Sequence, residues 1–292
     1  MTLTFDTSHR ASKGARRYQE DACVFARLHA VPVVAAPKVT TSAEASPVNA
    51  ALASIGVVAV LADGMGGHVG GERASTAACS GFLEALSSIS SEAGDYLNAA
   101  LSSANEAIRR EVDAEPGLHG MGCTLVGVVV DPVGMRWVSV GDSRLFLFRK
   151  GELYQLNEDH SLAPMLDQLV ERGEMTREQA LKHPRRHHLR SALTGDPIEL
   201  VDLARERVGL EVDDCIILAS DGVEDSQVAK LSRRTATLPA PLSAPFPGCE
   251  ELMILGIGRG LNSPGDTERL YGEWQFWSQS AGFRRFTGLN DW

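Results

Sequence analysis

The apolar positions of this chain fall into two periodicities. Residues 72–88 carry Ala77, Ala78, Phe82, Leu83 and Leu86, and residues Tyr96–Ala114 carry Leu97, Leu101, Ala104, Ile108 and Val112. This spacing puts each set on one face of a helix, so two amphipathic helices are predicted, their apolar faces serving as core. Other runs are continuous or alternate. Residues 56–61 read as a buried strand, and residues 22–28 as another. Residues 124–130, 135–140, 145–149 and 153–156 are short neighbouring runs, with Lys150-Gly151 as a turn, and predict an antiparallel meander. Residues 213–220 form the last strand of this kind, and residues 166–182 read as one or two short helices divided at Gly173. Residues 30–54, rich in Ala, Pro, Val, Ser and Thr, read as an inserted exposed loop between strands.

Periodicity fades beyond Gln227. Leu238-Pro239-Ala240-Pro241 and Pro245-Phe246-Pro247-Gly248 follow, and Trp274, Trp277 and Trp292 crowd the end. The chain therefore divides into residues 1–227 and a tail of residues 228–292.

Composition narrows the class. The chain has 292 residues, 43% of them hydrophobic and 23% charged, which is ordinary for a globular protein with a sizeable core. Its net charge of −10 argues against a nucleic-acid partner. Five cysteines without a CxxC pair fit reduced, mostly buried thiols, and hence an intracellular protein. The first residues, Met1-Thr2-Leu3-Thr4-Phe5-Asp6, lack the pattern of a secretory signal. No apolar run reaches the ~18 residues of a membrane span. A cytoplasmic monomer without membrane contact is expected.

Chemistry enters at the ends of the strands. The run 56–61 leads into Asp63-Gly64-Met65-Gly66-Gly67-His68, and the run 213–220 leads into Asp221-Gly222. Gly141-Asp142-Ser143-Arg144 is a third Asp-bearing turn, and Asp21 precedes the strand at 22–28. One Asp-Gly is most often a turn and nothing more. Several at strand ends point to carboxylates gathered at one edge, where they repel one another unless cations lie between them. Hard divalent ions about 3.5–4 Å apart would neutralise such a set and lower the pKa of a shared water to roughly 7. Arg16, near Asp21, reads either as a surface ion-pair residue or as a guanidinium for anionic substrate oxygens. The basic run His183-Pro184-Arg185-Arg186-His187-His188 lacks zinc-site spacing and reads as a solvated or substrate-facing loop. Together these residue types fit metal-assisted phosphate ester hydrolysis.

Six segments carry a resemblance. The stretch from Arg16 to Asp21, Asp63-Gly64-Met65-Gly66-Gly67-His68, Gly122-Cys123-Thr124, Gly141-Asp142-Ser143-Arg144, Asp159-His160-Ser161 and Ser220-Asp221-Gly222 stand in the order and approximate spacing of the protein phosphatase 2C (PPM) family, its bacterial branch most closely. The resemblance covers about residues 9–225. It implies an α+β fold, a four-layer αββα sandwich of two antiparallel sheets flanked by helices. It also implies Mn²⁺- or Mg²⁺-dependent hydrolysis of phosphoserine and phosphothreonine in proteins, by a water bridging two metals. Partners would be phosphorylated proteins, the products of a bacterial Ser/Thr kinase. By position, Asp63 resembles the carboxylate bridging both metals. The Gly64 carbonyl would bind the first and Asp221 the second, and Asp142 is similar to the ligand of a weaker third. Asp21 would orient the water and Arg16 would hold the substrate phosphate. Met65 stands where some members have a general-acid His, so His68 is given no role. Residues 162–190 would correspond to the flap that shapes substrate access.

The tail departs from the pattern. The family continues past Ser-Asp-Gly to a core strand headed by Asp-Asn, whose Asp is a further ligand of the second metal. No such pair heads a strand here, and neither Asp266 nor Asp291 replaces it. A frameshifted or truncated reading frame and a diverged tail both explain this, the first more simply. An impaired second metal site is expected from it. The alternative reading is a catalytically weakened or dead pseudophosphatase that binds a phosphoprotein or kinase.

Overall fold

The computed structural model describes residues 3–12, 19–26, 33–34, 57–66, 69–88, 96–131, 134–222, 250–259 and 284–286. Two six-stranded antiparallel sheets stack on each other. The inner one contains β2 (Ala22–Ala26), β3 (Val33–Val34), β4 (Val57–Ala62), β7 (Leu125–Asp131), β8 (Gly134–Val140) and β11 (Asp202–Leu203), in the order β11-β8-β7-β4-β2-β3. The outer one contains β1 (Leu3–Ser12), β9 (Arg144–Arg149), β10 (Glu152–Gln155), β12 (Cys215–Ala219), β13 (Glu250–Arg259) and β14 (Arg284–Phe286), in the order β10-β9-β12-β13-β1-β14. A small ribbon joins β5 (Gly64–Met65) to β6 (Gly122–Cys123).

Strand β4 shows why its sequence is apolar at every position. Val58, Val60 and Ala62 face one core, shared with Phe82 and Leu86 of α1 (Val69–Ser88) and with Leu97, Leu101 and Ile108 of α2 (Tyr96–Ala114). Val57, Ala59 and Leu61 face a second core, between the sheets, with Leu145, Leu147, Ile216, Leu218 and Met253. A strand covered on both faces has no position for a polar side chain. The fold is thus an α+β sandwich, and among the described residues its layers run helix pair, inner sheet, outer sheet. The helix pair matches the predicted periodicity, and α2 has the predicted bounds. No described helix is long and apolar enough to cross a membrane.

Four expectations change. The predicted meander does not stay in one sheet. β7 and β8 pair in the inner sheet, and β9 and β10 pair in the outer. The chain crosses between the sheets at Gly141-Asp142-Ser143, where Gly141 has φ +101°. Residues 3–12, unassigned by pattern, form β1. Residues 33–34, within the expected loop at 30–54, pair with Val24 and Phe25 of β2, while the rest of that loop lies outside the described residues. The largest correction concerns the tail. Residues 250–259, expected outside the sheets, form β13 between β12 and β1, with Leu252 opposite Ala219 and Leu3 opposite Arg259. The missing Asp-Asn therefore does not mean a missing central strand. β13 begins with Glu250-Glu251, at the end of the sheet where β12 leads into Asp221.

Candidate active site

The Asp-bearing turns meet where strands of both sheets end. Strand β4 runs out at Ala62, and Asp63 follows with its backbone clamped. Thr124 N–H donates to the Asp63 carbonyl at 2.9 Å, and Asp63 N–H donates to Thr124 Oγ1 at 3.1 Å. Gly64 comes next because nothing larger fits. A Cβ there would lie 2.3 Å from the carbonyl oxygens of both Glu20 and Gly71. Gly64 is thereby wedged between the segment entering β2 and the first turn of α1. Ser75 Oγ of α1 donates to the Glu20 carbonyl at 2.6 Å, holding that segment down. Asp21, buried just before β2, directly follows this clamped Glu20.

The crossover turn supplies Asp142. Its neighbour Gly141 packs so closely on Thr124 that a Cβ would lie 2.6 Å from Thr124 Cγ2. Gly141 N–H donates to His160 Nδ1 at 3.3 Å, and His160 N–H donates to the Gly141 carbonyl at 3.0 Å. Burial, opposed by Asp202, Glu158 and Asp159, lowers the His160 pKa, which suits a ring nitrogen used as an acceptor. Ser143 Oγ lies 2.7 Å from Thr124 Oγ1. Asn157 Nδ2 donates to the Ser143 carbonyl at 2.9 Å, and Asn157 Oδ1 accepts from Leu145 N–H at 2.7 Å. Ala219 pairs with Arg144, which sets Ser220-Asp221 alongside the crossover turn.

The electrostatics report what these contacts assemble. The Asp142 carboxyl is pushed up to about 7, first by burial and then by Asp221, Asp63 and Asp159. Three candidate carboxylates thus share one field. Asp159 joins them, a residue the sequence marked only as part of a motif. Among the described residues no group of three His, Cys, Asp or Glu side chains is gathered tightly enough to hold an ion. The two observations agree, because Coulomb repulsion reaches further than a coordination bond. Unit charges 8 Å apart still interact by about 2 kcal/mol at an effective dielectric of 20. The donor chemistry, carboxylates beside a backbone carbonyl, fits a hard divalent cation, and the field on Asp142 is one that positive charge relieves. Arg16 and His68 lie outside the described residues.

Residues 162–190, expected as a flap, include two short helices, α3 (Ala163–Glu171) and α4 (Arg177–Leu181), with Gly173 at φ +73° between them. The basic run beyond α4 is tied to them. Arg186 donates to both carboxylate oxygens of Asp167, at 2.9 and 2.8 Å. One of its arginines is therefore engaged within the fold.

A sandwich of this topology with Asp-bearing turns at one end defines a class, and comparison agrees. A family model described as Protein phosphatase 2C matches residues 49–244, more than half of the chain, so the chain belongs to the protein phosphatase 2C family. Among relatives, the serine/threonine phosphatase stp of Listeria monocytogenes is 30% identical over 223 residues, which cover 71% of this chain and 86% of stp. The serine/threonine protein phosphatase PstP of Mycobacterium tuberculosis is 39% identical over 171 residues, 56% of this chain. Those residues are only 31% of PstP, so this chain spans about a third of that relative's length. The crystal structure of the PstP catalytic domain with two manganese ions superposes with a TM-score of 0.58 at 25% identity, covering 88% of this chain and all of that domain.

Proposed function

We propose that this chain is a metal-dependent phosphatase acting on phosphoserine and phosphothreonine in proteins. The observation that carries the reading is the convergence of the Asp63, Asp142 and Asp221 turns at one end of the two sheets, clamped by Thr124, Ser143 and the Arg144–Ala219 pairing. The relatives named as serine/threonine phosphatases support it. Asp63, the Gly64 carbonyl and Asp221 would hold two Mn²⁺ or Mg²⁺ ions, and Asp142 a weaker third. When bound, such ions lower the pKa of water to roughly 7 and neutralise phosphate oxygens. The chain's own part is positioning. Thr124 and Ser75 fix the Asp63 and Glu20-Asp21 backbones, so Asp21 can orient the attacking water. His160 and Asn157 fix the crossover turn that carries Asp142. Arg16 would hold the substrate phosphate. The substrates would be proteins phosphorylated by a Ser/Thr kinase, with access shaped by α3 and α4. Strand β13 pairs with β12 beside the site, which supports the catalytic reading over a pseudophosphatase, with Glu250-Glu251 standing at its head in place of Asp-Asn.

Turnover of p-nitrophenyl phosphate and of a phosphothreonine peptide with Mn²⁺ tests this. Mn²⁺-dependent release of phosphate that Asp63→Asn reduces by at least 100-fold is expected. A folded wild-type chain that binds Mn²⁺ and is no faster than Asp63→Asn overturns it.

A further inference from the structure

Thr124 uses every part of its side chain at the site, and none of the metal chemistry needs it as a ligand. Its hydroxyl oxygen accepts from Asp63 N–H at 3.1 Å and lies 2.7 Å from Ser143 Oγ, where either hydroxyl can donate. Its backbone N–H returns a bond to the Asp63 carbonyl at 2.9 Å. Its methyl, Cγ2, is the surface on which Gly141 rests. Thr124 and Ser143 are 3% and 1% exposed, so water does not compete for these bonds. Ser143 is fixed in turn, because its carbonyl accepts from Asn157 Nδ2.

The topology gives this contact its meaning. Asp63 follows β4 and Thr124 precedes β7, both in the inner sheet. Ser143 immediately precedes β9, in the outer sheet, whose first residue, Arg144, pairs with Ala219 just before Ser220-Asp221. A single hydroxyl therefore joins the turn bearing Asp63 to the turn bearing Asp142, across the step from one sheet to the other. The geometry points to Thr124 as a positioning residue whose hydroxyl, through Ser143, sets the spacing between Asp63 and the Asp142–Asp221 pair. This rests on the reading of those carboxylates as metal ligands. The hydroxyl acts by geometry alone, since tight coordination demands ligand placement within a fraction of an ångström.

The two functions of the side chain can be separated. Thr124→Val keeps the methyl that seats Gly141 and loses the hydroxyl. Thr124→Ser keeps the hydroxyl and loses the methyl. Ser143→Ala removes the same link from its other end. Calorimetric titration of the full chain with Mn²⁺ is the primary readout, with thermal unfolding in EDTA and kcat and KM for p-nitrophenyl phosphate alongside. Thr124→Val and Ser143→Ala are each expected to weaken Mn²⁺ binding about tenfold or more and to lower kcat with little change in KM. Thr124→Ser stays within threefold of wild type in Mn²⁺ affinity. The double variant Thr124→Val/Ser143→Ala binds no more weakly than Thr124→Val, because both remove one link. A Thr124→Val protein that melts earlier and binds Mn²⁺ as wild type does overturns the inference, leaving a purely structural threonine. If Thr124→Val does not fold, Ser143→Ala decides by the same criterion. Wild type that binds Mn²⁺ without turnover fails the phosphatase reading and leaves this one to the affinities. Wild type that binds no Mn²⁺ overturns both.

Discussion

Gly64→Ala is the sharpest test of how the site is built. The added Cβ would lie 2.3 Å from Glu20 O, 2.3 Å from Gly71 O and 2.5 Å from Gly71 C. All three are backbone atoms, so no side chain can swing aside to admit it. One backbone is the lead into β2 and the other is the first turn of α1, itself anchored to Glu20 through Ser75. Relief requires moving a strand head, a helix start or β5 by about 1 Å. Overpacking of this kind costs about 1–3 kcal/mol, and immovable neighbours put it at the upper end. For a domain of this size, about 3 kcal/mol lowers the melting temperature by about 6–12 °C. Gly209→Ala is the control, because a Cβ there meets nothing within 4 Å, and it should change stability by no more than about 0.5 kcal/mol. Scanning calorimetry in EDTA measures both without metal, and a Mn²⁺ titration of the surviving folded protein follows. A Gly64→Ala protein melting within 2 °C of wild type, on the order of the smallest reliable difference, would refute the packing argument. So would an equal loss in Gly209→Ala.

Two further outcomes follow from the charges. Asp142 has a folded pKa of about 7 against 3.8 when unperturbed, so the folded state keeps a proton that the unfolded chain has lost between those values. Stability in EDTA should therefore fall as pH rises from about 4 to 7, by at most about 4 kcal/mol. Asp142→Asn should flatten the slope and be the more stable protein at pH 8, and parallel urea midpoints of the two proteins at pH 5.5 and 8 would count against the shared field. Away from the site, Asp214 is 1% exposed and accepts from Arg149 Nε at 2.9 Å, Arg149 Nη2 at 2.6 Å and Glu211 N–H at 2.7 Å. Arg149→Met strands that carboxylate and should cost about 3 kcal/mol in urea unfolding, whereas a loss under about 1 kcal/mol would class the pair with exposed ion pairs.

Legibility in the sequence followed how local each signal was. Helices α1 and α2 were readable because a single covered face imposes one period on Leu97, Leu101, Ala104 and Ile108. β4 was readable because both its faces are covered. The candidate ligands Asp63, Asp142 and Asp221 were readable because each neighbours a glycine at the end of an apolar run. β1 was not: Leu3-Thr4-Phe5-Asp6-Thr7-Ser8-His9-Arg10 is too polar to announce a strand, and its place comes from partners about 250 residues away. β13 did carry a signal, the run Leu252-Met253-Ile254-Leu255, which the absence of an Asp-Asn header obscured. The contact between Thr124 and Ser143 leaves no trace in either segment, because two hydroxyls 19 residues apart meet only once both sheets exist. The same holds for Asp159, whose charge matters to Asp142 only through the fold.

The position of β13 has a consequence for how the protein is made. A ribosome delivers β1 first and β12 some 200 residues later, yet these strands share no hydrogen bond and each pairs with β13. Until Arg259 has left the exit tunnel, the outer sheet is two halves with open edges. A nascent chain that ends at Gly222 already carries Asp21, Asp63, Asp142 and Asp221, and still exposes strand edges that invite pairing with other chains. Closing the sheet through contacts such as Leu3 with Arg259 also places a long-range step late in folding, where it is slow. A chain cut short before Glu250 would lack the strand that joins β12 to β1 and leave an edge of each open to pairing with other chains.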